Sequence, residues 1–314
     1  MNECIYAYLK LSKEVFEIDK VLLGKIPVGD DRCRFDHNIL EAAIKAIIKD
    51  RLNSEDISMS GLSVSAYGVC PTFVVAKKAV HVDGPPTVFR SYAGDGIRPS
   101  RCAIWQAARA TSAAPSFFKE MYIDNPLPGV NYVDGGLGQN NPSQVGLDEA
   151  ARIWRTSKYF CLVSIGTGRQ RASRIIDTSK PKNNIEDQHS LFEHVKSFVP
   201  NIVLLVPGWK TAKNFPPGVF ALIQMASALS SMVTNSEDVH QRLQRTSRAI
   251  DVDKQFPYFR FNVERDVGDI GLEEWKREED LAANTMSYLE EQEAEERKKM
   301  CVNCLINPPR FKCK

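Results

Sequence analysis

The chain has 314 residues, 43% of them hydrophobic, 25% charged and 9% aromatic, and its 41 Lys and Arg against 39 Asp and Glu leave a formal charge of +2. This is globular composition. It excludes a disordered, fibrous or collagen-like chain and supplies no net field that would draw the protein to nucleic acid or an anionic membrane. The longest aliphatic run, 202–206, is far short of the roughly 20 residues of a membrane span. The first ten residues show neither a basic stretch nor a long apolar one, so neither a signal peptide nor a transmembrane helix is expected, and membrane contact at most peripheral. Eight scattered cysteines, several inside apolar periodic segments, imply thiols in a reducing, cytoplasmic setting.

In chain order, Ile5, Tyr8, Leu9, Ser12 and Phe16 recur at spacings of three and four, predicting a helix over Glu3 to Phe16 with one apolar stripe. Asp36 is placed to cap a second helix whose core face is Leu40, Ala43, Ile44, Ile47 and Ile48. Thr72 to Val80 and Thr87 to Tyr92 read as neighbouring strands, since Asp83-Gly84-Pro85-Pro86 between them is turn chemistry. An Ala-rich helix, Arg101 to Ala110, follows with Ile104, Trp105 and Ala108 inward. Next come the strand Val130 to Val133, a helix through Val145 to Trp154, and the strand Tyr159 to Ile165, which breaks at Gly166-Thr167-Gly168. The alternation predicts a mostly parallel α/β sheet. Residues 170–216 read as polar and irregular, helices are expected at 219–233, 237–248 and 272–289, and a strand at 258–263. The charge run 290–299 reads as a fraying helix extension.

Three kinds of site were sought. Gly166-Thr167-Gly168 lacks the third glycine of a dinucleotide loop and no Gly-Lys-Ser/Thr follows a glycine-rich stretch, so no nucleotide site is expected. Cys301 and Cys304, with Cys313 nearby, fall short of four zinc ligands and the tail has no histidine, so no metal or other cofactor is expected. A nucleophile elbow needs glycine on both sides of its serine, and no serine here has both: Gly61-Leu62-Ser63 has only the leading one and Ser164-Ile165-Gly166 only the trailing one. None of the five histidines lies in a motif. The most pointed feature is Asp134-Gly135-Gly136 after the strand Asn131-Tyr132-Val133. A carboxylate at a strand's carboxyl end faces the crevice where α/β folds bind ligands, and the glycines let another group approach. Alone, the same tripeptide reads more readily as a turn or a helix cap than as a site.

Its surroundings bear on that choice. Ala107 to Phe118 (Ala-Ala-Arg-Ala-Thr-Ser-Ala-Ala-Pro-Ser-Phe-Phe), Tyr132 to Leu137, Asn140-Asn141-Pro142 and Ser164 to Gly168 stand in the order and approximate spacing of the patatin-like phospholipases. The chain is similar to the fungal-type members of that family, which also match at Tyr258 to Val263 and Gly271 to Lys276. The resemblance implies a three-layer α/β/α domain and hydrolysis of phospholipid or other acyl-ester lipids by a Ser-Asp dyad, with Asp134 as the base. It implies Gly135, Gly136, Asn140, Asn141, Gly166 and Gly168 as shapers of the crevice. The family's oxyanion loop and Gly-x-Ser-x-Gly precede the matched region, so the expectation is a domain lacking its N-terminal strands and inactive alone. On this reading 1–165 holds the catalytic Asp portion, 166–290 the rest of the fold and 291–314 a Cys-containing tail. The alternative is a non-catalytic product that binds acyl lipid or a protein partner.

Overall fold

A computed structural model describes residues 2–17, 33, 35–62, 70–115, 117–124, 128–157, 159–168, 236–247, 256–263, 267, 270 and 274–307. The irregular stretch expected over 170–216 and the helix expected at 219–233 fall outside these residues. Helices α1 (Asn2–Phe16) and α2 (His37–Leu52) pack together, with Arg51 at one end bonded to Glu3 at 3.0 Å and Phe16 at the other edge-on to Phe35 at 4.9 Å. Asp36 caps α2 as its sequence requires: Oδ1 accepts from the Asn38 N–H at 2.8 Å, satisfying one of the orphan donors of the first turn. Leu40, Ala43 and Ile48 of α2 are buried. On α1 the buried residues are Ser12 and Val15, whereas Ile5 and Tyr8 stand exposed. The expected stripe is thus rotated, because the end of α1 that meets Phe35 and Phe118 sets the contact face.

The main sheet contains β1 (Phe73–Lys78), β2 (Thr87–Arg90), β3 (Met121–Ile123) and β4 (Val130–Asp134) in the order β2-β1-β4-β3. Every pair in it is antiparallel, which corrects the mostly parallel sheet expected from the alternation of elements. The cause is local. The Asp-Gly-Pro-Pro turn is too short for a crossover and closes β1 and β2 into a hairpin, while β3, a three-residue strand with no sequence signal, reverses into β4. Helix α3 (Ile104–Thr111) lies against this sheet: Ala107 and Ala110 meet Ala76, Ile123 and Tyr132 in the largest core cluster, where small residues permit close approach.

After β4 come a short turn of helix α4 (Gly136–Gln139), α5 (Ser143–Ile153) and β5 (Leu162–Ile165). Strand β5 pairs in parallel with β6 (Tyr258–Phe261), and helix α6 (236–247) buries Val239 and Leu243 beside that pair. Two helices follow, α7 (Glu278–Glu290) and α8 (Gln292–Ile306). The expected fraying extension is a separate helix that continues to Ile306, since Glu291 at ψ 138° breaks the helical path between the two.

Candidate active site

Asp134 ends β4, paired with Ala76 of β1. Its backbone N–H donates to the Ala113 carbonyl at 3.0 Å, and its Oδ1 accepts from the Gly136 N–H at 2.7 Å. Gly135 runs so close to β1 that a Cβ on it would lie 2.1 Å from the Val75 carbonyl oxygen, a distance no side chain tolerates. The Thr111 hydroxyl donates to that same carbonyl at 2.6 Å. The Ala-Thr-Ser-Ala-Ala-Pro segment and the Asp-Gly-Gly segment, some twenty residues apart in sequence, are therefore locked to one edge of β1, with Asp134 at the junction.

Burial pushes the Asp134 carboxyl up to about 6, because a charge removed from water is disfavoured, and the Gly136 N–H pulls in the other direction without offsetting it. Lys77, next along β1, is also buried, but its ammonium donates to the Gly84 carbonyl at 2.6 Å in the β1–β2 turn. A carboxylate tuned near neutrality, with one backbone N–H holding its charge among the described residues, is suited to accept a proton from a weak acid such as a serine hydroxyl.

The third and fourth motifs form a separate polar knot. Asn141 is buried, and its Nδ2 donates to the Ser236 carbonyl at 3.1 Å. Its Oδ1 accepts from the Ser143 N–H at 3.2 Å and the Ser143 hydroxyl at 2.6 Å, and Ser143 and Ser164 hydroxyls meet at 2.9 Å. Arg260 of β6 donates to Ser164 Oγ at 2.7 Å and to Ser236 Oγ at 3.2 Å. Asn140 is exposed. Gly166 and Gly168 bind β6 and the residue after it: the Gly166 N–H donates to the Phe261 carbonyl at 2.8 Å, and the Gly168 N–H donates to Asn262 Oδ1 at 2.9 Å. A Cβ on Gly166 would fall 2.0 Å from Asn262 Oδ1, so that side chain would have to move, and Gly168 has φ +111°, a conformation that favours glycine. Asp134, Gly135 and Gly136 thus share one junction, while Asn141, Gly166 and Gly168 meet through β5, β6 and the residues beside them.

Thr111, Ser143 and Arg260 escaped the sequence reading as site residues. Ser143 had a signal, since an Asn two residues before a Ser is the pattern of an Asx turn. Arg260 had none, because its partner Ser164 is 96 residues away. Arg109, inside the first motif, is 1% exposed, with Nη2 donating to the Lys119 carbonyl at 3.0 Å and Nε and Nη1 without a hydrogen-bond partner among the described residues.

Comparison with known proteins adds three findings. Residues 35–146 match the family model of the patatin-like phospholipases. Calcium-independent phospholipase A2-gamma of Mus musculus is 32% identical over 177 residues, which is 54% of this chain and 21% of that protein, and the Homo sapiens protein gives the same identity over the same length. Patatin-like phospholipase 1 of Plasmodium falciparum is 25% identical over 258 residues, 74% of this chain and 32% of that protein. The chain spans about a fifth of the length of the mammalian relatives it matches.

Proposed function

Because this chain carries a patatin-like phospholipase domain, with its α/β fold, over residues 35–146 and is homologous to patatin-like phospholipases, we propose that it contributes the base of a lipid acyl hydrolase, with Asp134 as the proton acceptor of a Ser-Asp dyad. The observation that carries the proposal is the Asp134 junction: a carboxylate at a strand's end, desolvated, pushed up to about 6 and held by the Gly136 N–H beside a glycine that admits no side chain. In the reaction a serine hydroxyl attacks the acyl carbonyl carbon of a phospholipid ester as Asp134 takes its proton. The tetrahedral intermediate expels the alcohol, which leaves with a proton, and water then hydrolyses the acyl-enzyme by the same base.

No Gly-x-Ser-x-Gly turn stands in these 314 residues, so in this proposal the serine, the oxyanion loop and the strands that complete a three-layer sheet come from sequence outside them. The 314 residues alone release no fatty acid. That missing turn also favours a second reading, in which the chain holds acyl lipid without cutting it.

The test is fatty-acid release from phosphatidylcholine by the native translation product that contains this chain, wild type against Asp134→Asn. Loss of about 10²–10⁴-fold in kcat is the effect expected of a general base. The wild-type kcat/KM should rise with pH and level off above about 6, because only the ionised carboxylate accepts the proton. Unchanged kcat in the Asn variant sinks the dyad, and lipid binding without release selects the second reading.

A further inference from the structure

Helix α8 meets the start of β5 through three cysteines. Ala294, Arg297, Cys301 and Cys304 recur along α8 at spacings of three and four, so they share one face of the helix. Ala294 and Cys301 on that face are buried, and Arg297 donates to Tyr288 Oη at 3.2 Å and to the Arg260 carbonyl of β6 at 3.5 Å. The Tyr159 hydroxyl donates to the Cys304 carbonyl at 3.3 Å, across 145 residues of sequence. Cys161, between Tyr159 and β5, meets the same turn of α8: its thiol and that of Cys301 share a hydrogen bond, and Cys304 lies close enough to act on both.

A buried thiol is a small hydrophobe, and two in contact would serve as packing alone. What sets this pair apart is its place. Hydrogen-bonded sulfurs are a short movement from the roughly 2.05 Å of a disulfide, and a bond here would tie the last helix described to the strand that leads into Gly166-Thr167-Gly168. Among the described residues no group of three His, Cys, Asp or Glu side chains is placed to hold a metal ion, and the contact of Cys161 with Cys301 is pairwise. Access differs between the partners: Cys301 is buried whereas Cys161 is half-buried, so a small reagent reaches Cys161 first.

We propose that Cys161 and Cys301 form a redox-active dithiol, closed to a disulfide by a low-molecular-weight disulfide such as oxidised glutathione and reopened by a dithiol reductant. The Cys161 thiolate attacks one sulfur of the reagent, forming a mixed disulfide and expelling one glutathione thiolate. Cys301, after losing its proton to water, attacks the Cys161 sulfur and expels the second. Two protein thiols are thus oxidised, one reagent disulfide is reduced to two thiols, and the departing thiolates take up the two protons that the cysteines release. Burial pushes the Cys161 thiol up to about 11 and raises that of Cys301, so closure is slow near neutrality and quickens with pH. The same proton affinity makes both sulfurs poor leaving groups, so the closed bond resists monothiols. The dithiol is independent of the Asp134 chemistry: it fixes α8 to β5 under oxidising conditions and releases that contact under reducing ones.

The experiment incubates the reduced native translation product that contains this chain with oxidised glutathione at about pH 8.5, where thiolate is more abundant, then alkylates the remaining thiols and maps the disulfides by mass spectrometry of an unreduced digest. The expected product is the Cys161 peptide joined to the Cys301 peptide, with a Tm raised by about 5 °C and restored by dithiothreitol. The link should form at least tenfold faster in the folded protein than in urea, because the fold makes the second attack intramolecular. Cys304→Ser should keep the link, and Cys161→Ser should lose both the link and the rise in Tm. Glutathione retained on Cys161 with Cys301 still reduced overturns the proposal, as does a link from Cys161 to Cys304 or one that forms equally fast in urea. Mapping the wild type decides these outcomes even where a serine variant fails to fold.

Discussion

Asp134 at the end of β4 and Glu149 on α5 are both taken out of water, and their surroundings move their proton affinities in opposite directions. Glu149 accepts from Arg90 through Nη2 at 2.7 Å and through Nε, and from the Tyr92 hydroxyl at 2.8 Å, with Arg152 at 3.6 Å. Those donors, the Arg90 hydrogen bonds above all, hold its carboxyl below the usual range despite its burial. Asp134 has burial and one backbone N–H, and burial prevails. Burial alone therefore does not mark a reactive carboxylate. The compensation does: a group satisfied by a bidentate arginine is committed to holding β2 against α5, and a group left near neutrality is available for proton transfer.

The contrast breaks most strongly at Glu149. Glu149→Ala leaves the Arg90 guanidinium, which is largely buried, with no counter-charge, and such losses cost about 3–5 kcal/mol. Urea unfolding at pH 7 should show it. Because the folded Glu149 carboxyl lies below its unfolded value, its contribution is present above the ordinary carboxylate range and is lost as pH falls through the folded value. The deficit of the variant should therefore shrink in acid, and a deficit that stays constant with pH would mean the ion pair is not its source. Gly135→Ala attacks the other carboxylate through its backbone. The new methyl would meet the Val75 carbonyl at 2.1 Å, so β1 or the loop after β4 must shift, at about 3 kcal/mol in overpacked sites. A variant with wild-type stability would show that the approach of loop and strand is looser than described.

The two carboxylates also differ in how far sequence reveals them. Asp134 was legible because its signal is contiguous: a strand, a carboxylate, two glycines, with Ala-Thr-Ser-Ala-Ala-Pro upstream. Glu149 looks like any helix Glu, and what distinguishes it is Arg90, 59 residues away, so only the fold discloses the pair. Helices α2, α3 and α5 were legible for the same local reasons, through the Asp36 cap and apolar periodicity. Strand direction was not. Nothing in Met121-Tyr122-Ile123 announces a strand, and without β3 the path into β4 reads as a parallel crossover. The run 290–299 reads by its charge as a fraying helix end, which gives no sign of a separate helix that continues to Ile306.

A third change sharpens the comparison by reversing its sign. Asp134→Asn should stabilise the fold at pH 8. The folded carboxyl lies at about 6 against an ordinary 3.8, so between those values the folded state binds more protons than the unfolded one. Stability of the wild type then falls as pH rises through that window and is level above it. An amide keeps the oxygen that accepts from Gly136 and carries no charge to desolvate. The gain should be on the order of 3 kcal/mol at pH 8 and well under 1 kcal/mol at pH 4. Parallel curves for the two proteins would mean that Asp134 is solvated when ionised.

The smallest effect separates the donors of Glu149 from one another. Tyr92→Phe removes only the hydroxyl that reaches Oε2 and leaves Arg90 in place, so the carboxylate keeps its charge partner and loses one hydrogen bond, at about 1–1.5 kcal/mol. Tyr92 gains from the same contact, since burial and the neighbouring carboxylate keep its phenol protonated well above the ordinary range. The ring itself is buried and its packing is preserved by Phe, which isolates the hydroxyl. Combining Tyr92→Phe with Glu149→Ala in a double-mutant cycle then decides what the bond is worth. If the hydroxyl acts through the carboxylate, the pair costs less than the sum of the single changes, because Tyr92 has nothing to donate to once Glu149 is gone. Strict additivity would make the hydroxyl an independent contributor and leave the arginines, Arg90 foremost, as the reason that Glu149, unlike Asp134, remains a structural charge.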